Sequence, residues 1–240
     1  MPELPPIPDE QLEVLRHIPT PTLMDALWVK NWPMGYIHGP RPLVPGTQMA
    51  GRAVTLRFVP FRPDLMADKP KREESAEYVA YELCGPGEVL VVDAMRLTDS
   101  SVGGDIKFFR LQQRQAEGLV TDGGIRDSNV IKGYALKVFS ASTTAKQGPA
   151  EILPWGVNEV IQCGGVLVRP GDAVVGDDDG VVVVPRAAVE EVIKIASERE
   201  EIEELIKREV ERTHISPGRY YPFNEETQKL VERVKRALTE

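Results

Sequence analysis

Polar and apolar positions divide the chain into short strands and amphipathic helices. Residues 50–59, AGRAVTLRFV, alternate apolar with polar or small side chains, the two-residue period of a strand, and EVLVVDA at 88–94 reads as a second strand. Val181 to Val184 is an unbroken apolar run, as a strand covered on both faces should be. Helical spacing predicts helices over 10–18 behind an Asp9 cap, 23–30 behind a Thr22 cap, 76–84, 128–133 and 186–213. Another runs from Asp105 toward Gly118, with Ile106, Phe109, Leu111 and Ala116 as its apolar members. The proline-rich stretch 32–46 is an irregular connection, 60–75 an exposed loop suited to a lid or specificity element, and 155–186 a β-rich segment with turns at 170–172 and 177–180. Residues 1–8 read as an extended arm. In the tail, an aromatic cluster of Tyr220, Tyr221 and Phe223, expected to dock on a neighbouring surface, precedes an amphipathic helix.

The stretch 101–127, SVGGDIKFFRLQQRQAEGLVTDGGIRD, gathers strand ends and a helix start in one place. Gly103-Gly104 opens the helix at Asp105, a strand runs through Leu119-Val120-Thr121, and a second glycine turn at Gly123-Gly124 leads to Arg126 and Asp127. The N–H groups of a helix start, with the positive end of its dipole, suit a small anion. Arg126 offers a planar fork for the same group. Asp127 is either a salt-bridge partner of Arg126 or a ligand for a hard divalent cation, since magnesium commonly takes one or two protein carboxylates and keeps several waters. Asp105 is then the second carboxylate, holding a water of the ion.

Asp105, twenty intervening residues and Arg126-Asp127 resemble the D-x20-R-D signature of the class II 4-hydroxy-4-methyl-2-oxoglutarate aldolases of the RraA-like family. GEVLVVDA at 87–94, GLVTDGGIRD at 118–127 and CGGVLVRPGDAVVGDDDGVVVVPR at 163–186 resemble the same core. The resemblance implies an α/β fold of the swivelling β/β/α sandwich type, one domain over 20–213 between an arm and short helix at 1–19 and an extra C-terminal segment at 214–240. It further implies trimers or hexamers with active sites between subunits, a Mg2+ or Mn2+ cofactor, and cleavage of a 4-hydroxy-2-keto acid to pyruvate, with oxaloacetate decarboxylation as a related activity. Asp127 is the implied metal ligand; Arg126, Asp105 and Glu203 are the implied catalytic groups. Gly104, Asp105, Ile106, Lys107 and Arg126 are the implied substrate contacts, the backbone amides around Asp105 to Lys107 gripping the pyruvate carboxylate. Glu203 comes from matching the family's R-x3-E pattern onto Arg199, with Glu200 as the next choice, and is expected to reach the neighbouring subunit's site. Two alternatives differ in class: a lysine imine on Lys107, and a regulator that binds and inhibits a ribonuclease without catalysis. The regulators resemble glycine rather than aspartate at position 105, so Asp105 favours an enzyme.

Charge and composition narrow the partners. Twenty-nine basic against 37 acidic residues give a net charge of −8, which disfavours a nonspecific nucleic-acid or lipid surface. No apolar run reaches the length of a membrane span and the start MPELPPIPDE lacks a signal pattern, so a cytoplasmic location is expected. Cys84 and Cys163 make no disulfide framework or metal spacing, which suits a reducing compartment. Asp93, Asp25, the hydroxyls of 140–144 and the acids at 177–179 each have an ordinary turn or capping role beside any functional one. No glycine-rich nucleotide loop suited to a methyl donor is present.

Overall fold

Two-residue burial sets the centre of this fold. Between Glu88 and Asp93, Leu90 and Val92 join one core and Val89 and Val91 another on the opposite face, all four buried. The computed structural model describes residues 5–237. In chain order its strands are β1 (Tyr36–Ile37), β2 (Arg41–Pro42), β3 (Met49–Pro60), β4 (Glu88–Asp93), β5 (Gly118–Ile125), β6 (Lys137–Thr143), β7 (Ile152–Val157), β8 (Ile161–Cys163), β9 (Val166–Val168), β10 (Ala173–Asp177) and β11 (Gly180–Val184). The helices are α1 (Asp9–His17), α2 (Thr20–Val29), α3 (Leu65–Asp68), α4 (Ala76–Leu83), α5 (Asp105–Gln113), α6 (Ser128–Ile131), α7 (Val189–Thr213) and α8 (Glu225–Ala237). The described residues form two compact units that divide after Ile193, within α7.

In the first unit a mixed sheet runs β1-β11-β10-β3-β4-β5-β6-β2, with β7 also on β3 and β8-β9 a separate hairpin. Its centre, β3 to β6, is parallel. Tyr81 of α4, Phe108 and Leu111 of α5 and Ile131 of α6 cover one face. Ile161 and Cys163 of β8, Val168 of β9, Val174 of β10 and Val181 and Val183 of β11 pack with the other. The result is a mixed α/β sandwich, as the sequence resemblance implies. Two parallel strands, β5 and β6, end side by side, and ligands of such sheets bind beyond the carboxyl ends of strands.

Several local expectations are corrected. Gly123-Gly124 is no turn: both lie inside β5, where a register shift follows Thr121. A Cβ on Gly123 would meet Ala94 Cβ at 2.5 Å and one on Gly124 would meet the Thr98 carbonyl at 2.7 Å, so these glycines let the 94–100 segment lie against the strand. Helix α5 ends at Gln113, with Gln115 in the left-handed region (φ 58°), and its buried members are Phe108 and Leu111. Ile106 is 81% exposed and Phe109 43%. The start of α2 is Thr20, not Thr22; Asp177 accepts hydrogen bonds from the Thr20 N–H and hydroxyl, both 2.8 Å, which absorbs one of the three consecutive aspartates. Asp9 is in the first turn of α1 behind Pro8 and pairs with Arg52 at 2.7 Å. Of the expected arm, residues 1–4 lie outside the described residues and Ile7 is buried. The loop 60–75 is largely exposed and includes α3, with Ser75 buried at its end.

The second unit is a helical hairpin with its own apolar cluster. Tyr220, expected on a neighbouring surface, is instead buried there with Ile206 and Leu230, and Phe223 packs against them beneath the Arg199 guanidinium, 4.9 Å from its ring. Glu209 of α7 is held at 2.8 Å by Arg212 and at 2.8 Å by Arg233 of α8. Hydrogen bonds from Arg212 and Arg233 hold its carboxyl down at about 2. A depressed carboxyl stabilises the hairpin above its unfolded pKa, near 4.5, and loses that contribution as pH falls toward 2. Acid titration followed at Tyr220 by NMR should therefore show the hairpin loosening between those limits. A Glu209→Gln protein with the same transition would contradict this.

Candidate functional site

A short parallel ladder brings the glycine loop to the end of β5. The N–H of Gly124 bonds to Ser100 O at 3.0 Å, Val102 N–H to Gly124 O at 3.0 Å, and Arg126 N–H to Gly103 O at 2.9 Å. Gly103-Gly104 and Arg126-Asp127 are thereby neighbours although far apart in sequence. Gly104 is the residue preceding α5, and a Cβ there would fall on Asp127 Oδ2. Only hydrogen leaves that space open.

Asp127 adopts the left-handed conformation (φ 57°, ψ 30°) at the start of α6, a region that aspartate tolerates better than most residues. Its Oδ2 accepts the Asp105 N–H at 3.0 Å. This revises the expected carboxylate grip, because the first N–H of α5 is already taken by Asp127. Helix geometry leaves the N–H groups of Ile106 and Lys107 in the same first turn without an intrahelical carbonyl. The Asp105 carboxylate accepts a hydrogen bond from the hydroxyl of Tyr134, a residue to which sequence reasoning assigned no role. The available signal was a phenol immediately after the predicted 128–133 helix. That bond, partial burial and the charges of Asp105 and Asp127 push the Tyr134 phenol up, so it is the donor.

Arg126 and Asp127, both exposed, open onto a cleft of about 450 Å³ lined also by Ser128, Asn129, Thr143 and Thr144. Asp105 is half-buried and meets Asp127 through its N–H; it is not among the residues that line this cleft. Thr144 and Ser142 spend their hydroxyls on the carbonyls of Asp99 and Thr98. Lys107 points to α4, where its ammonium pairs with Glu77 and lies 5.8 Å from the Tyr78 ring centre, an arrangement that disfavours an imine. Asp93 accepts from the Met95 N–H at 2.9 Å and from Gln162, the turn role; burial, with Asp122 nearby, pushes its carboxyl up. Both cysteines are buried, unbridged thiols. Glu203 lies in the second unit, half-buried on α7.

Among the described residues no three histidine, cysteine or acidic side chains gather as a metal cage. What the site offers is the Asp127 carboxylate at an open cleft, with Asp105 beginning the helix whose first N–H that carboxylate accepts. One such carboxylate fits a hard cation that keeps most of its waters.

The RraA-like family, described as Aldolase/RraA, matches residues 20–183. A protein of Halalkalibacterium halodurans named "Putative 4-hydroxy-4-methyl-2-oxoglutarate aldolase" is 31% identical over 195 residues, 81% of this chain and 86% of that one. Among solved structures, Streptomyces coelicolor RraAS2, titled an unusual member of the RNase ES inhibitor RraA protein family, is 30% identical with a TM-score of 0.76, covering 85% of this chain and 99% of that chain. A protein of unspecified function from Pseudomonas syringae is 25% identical with a TM-score of 0.75, covering 90% and 98%.

Proposed function

We propose that this chain, which belongs to the RraA-like (Aldolase/RraA) family, is a divalent-metal-dependent lyase that cleaves a 4-hydroxy-2-keto acid to pyruvate. One observation supports the reading: Arg126 and Asp127 line an open cleft, and the Asp127 carboxylate accepts the N–H of Asp105 at the helix start beside it. Breaking a carbon–carbon bond beside a keto acid leaves an electron pair on the pyruvate fragment. A bound Mg2+ or Mn2+ would supply Lewis acidity for the charge that develops on the keto acid. Asp127 would hold the ion directly, and Asp105 would hold one of its waters. Arg126 places a fixed positive charge beside the oxygen that gains negative charge, and the amides of Ile106 and Lys107 receive the carboxylate. Oxaloacetate, which yields the same fragment on decarboxylation, is a second substrate of the same machinery.

The assembly belongs to the proposal. Ile106, Phe109 and Val130 expose apolar surface on α5 and α6 near the cleft, a rim suited to a second copy that contributes Glu203 in a trimer or hexamer. Sedimentation returning only the 26.6 kDa monomer would remove that element.

The test is pyruvate release from a panel of 4-hydroxy-2-keto acids and oxaloacetate, with Mg2+ and after chelation. Activity with at least one substrate that vanishes with EDTA and returns with Mg2+ is expected. Similarity to RraAS2 favours a second reading, a surface that binds and inhibits a ribonuclease. No pyruvate from any substrate, together with ribonuclease inhibition that survives chelation, would establish that reading instead. Among the described residues no helix is long and apolar enough to cross a membrane.

A further inference from the structure

We infer that Tyr134 is a positioning residue of the carboxylate pair, holding Asp105 by one oxygen and thereby orienting the other toward the ion; the inference rests on the metal-dependent reading above. The segment from Asp127 to Tyr134 engages Asp105 at both ends. At one end the Asp127 carboxylate accepts the Asp105 N–H at 3.0 Å, and at the other the Tyr134 hydroxyl donates to Asp105 Oδ1. Between them the chain is wound tightly: the N–H groups of Val130 and Ile131 bond to Asp127 O at 3.0 and 3.1 Å, and Tyr134 N–H bonds to Ile131 O at 2.9 Å. The phenol ring packs against Phe109, ring centres 6.1 Å apart, and lines a small cavity of about 150 Å³ with Leu43, Ile131, Leu136 and Val138. Its direction is set by packing as well as by the bond it makes.

The choice of a phenol has a charge consequence. Of the cations near this end of α5, Lys107 is engaged by Glu77 and Arg110 by Glu82, and Arg126 stands at the cleft beside Asp127. A neutral donor fixes Asp105 without cancelling its charge, so Asp105 keeps its negative charge for a dication or its waters. Hydrogen-bonded partners of this kind typically matter by about 10- to 100-fold in metal affinity or activity.

Tyr134→Phe removes the hydroxyl and keeps the ring. Mn2+ affinity, read from the free-ion EPR signal, should fall roughly tenfold, and kcat by a similar factor with KM within about twofold. The thermal midpoint should not move. A merely structural tyrosine would lower the midpoint and leave Mn2+ affinity intact. In metal-free protein, ultraviolet resonance Raman difference spectra against Tyr134→Phe isolate this tyrosine; Asp105→Asn should weaken its donor signature, and an unchanged signature overturns the contact. Mn2+ affinity and kcat equal to wild type in Tyr134→Phe, with binding lost in Asp127→Ala, overturn this inference alone. Wild type that takes up no Mn2+ sinks the metal-dependent reading and the role of Tyr134 with it.

Discussion

Asp127→Ala is expected to lose metal-dependent pyruvate release by roughly 10³-fold or more, because the Lewis acid it holds is worth several kcal/mol of charge stabilisation and each 1.4 kcal/mol is tenfold in rate. The fold should survive. Asp127 is exposed at the strand end, and its described side-chain bond, to the Asp105 N–H, faces a half-buried residue that solvent can reach. Losing one such bond costs on the order of 1 kcal/mol. The measurement pairs kcat/KM over a Mg2+ titration with a thermal midpoint. Normal turnover by a folded Asp127→Ala protein would refute the assignment. A rise in the Mg2+ concentration for half-activity, with kcat recovered at saturation, would keep Asp127 as a ligand that sets metal affinity and place the rate-determining charge stabilisation on other groups.

Adjacent glycines should separate chemistry from stability. Alanine at position 104 would place its Cβ on Asp127 Oδ2 and 3.2 Å from Arg126 Cβ. The atom struck is the end of a side chain, so Asp127 can rotate away and leave the fold standing. Activity should then fall by about 100-fold or more, since a catalytic group displaced by an ångström costs about that much, while the thermal midpoint changes little. Alanine at position 103 would meet Phe108 Cε1 at 2.7 Å, and Phe108 is fully buried in the helix-side core. Overpacking there should cost about 1–3 kcal/mol of stability. Steady-state kinetics and thermal melts on both variants check the contrast. Equal loss of stability in the two would show that Gly104 serves packing and not the site.

The site was legible where its residues are close in sequence or carry a distinctive motif. Asp105 and Arg126-Asp127 could be joined before any coordinates because the spacing matched a recognised signature. Tyr134 was not legible: a phenol seven positions past Asp127 has no pattern of its own, and only the α6 turn folds it back onto Asp105. The Asp105 N–H was misassigned for a related reason, since reading a helix start as a free anion site ignores the carboxylate that the chain itself supplies. Gly123-Gly124 reads as a turn under any local rule, yet the pair is strand, because the 94–100 segment needs the space that two side chains would fill.

Local chemistry along the chain determined the alternation of strands and helices, the two-faced burial of β11, the glycine opening of α5 and the identity of the acids and the arginine, because hydrophobic period, turn chemistry and charge act over a few residues. Tertiary structure alone decided which face of α5 is buried, that Asp127 rather than a ligand occupies the first N–H of that helix, and that Tyr134 holds Asp105. Those outcomes depend on contacts across the ladder between residues 100–103 and 124–126. No local preference specifies them.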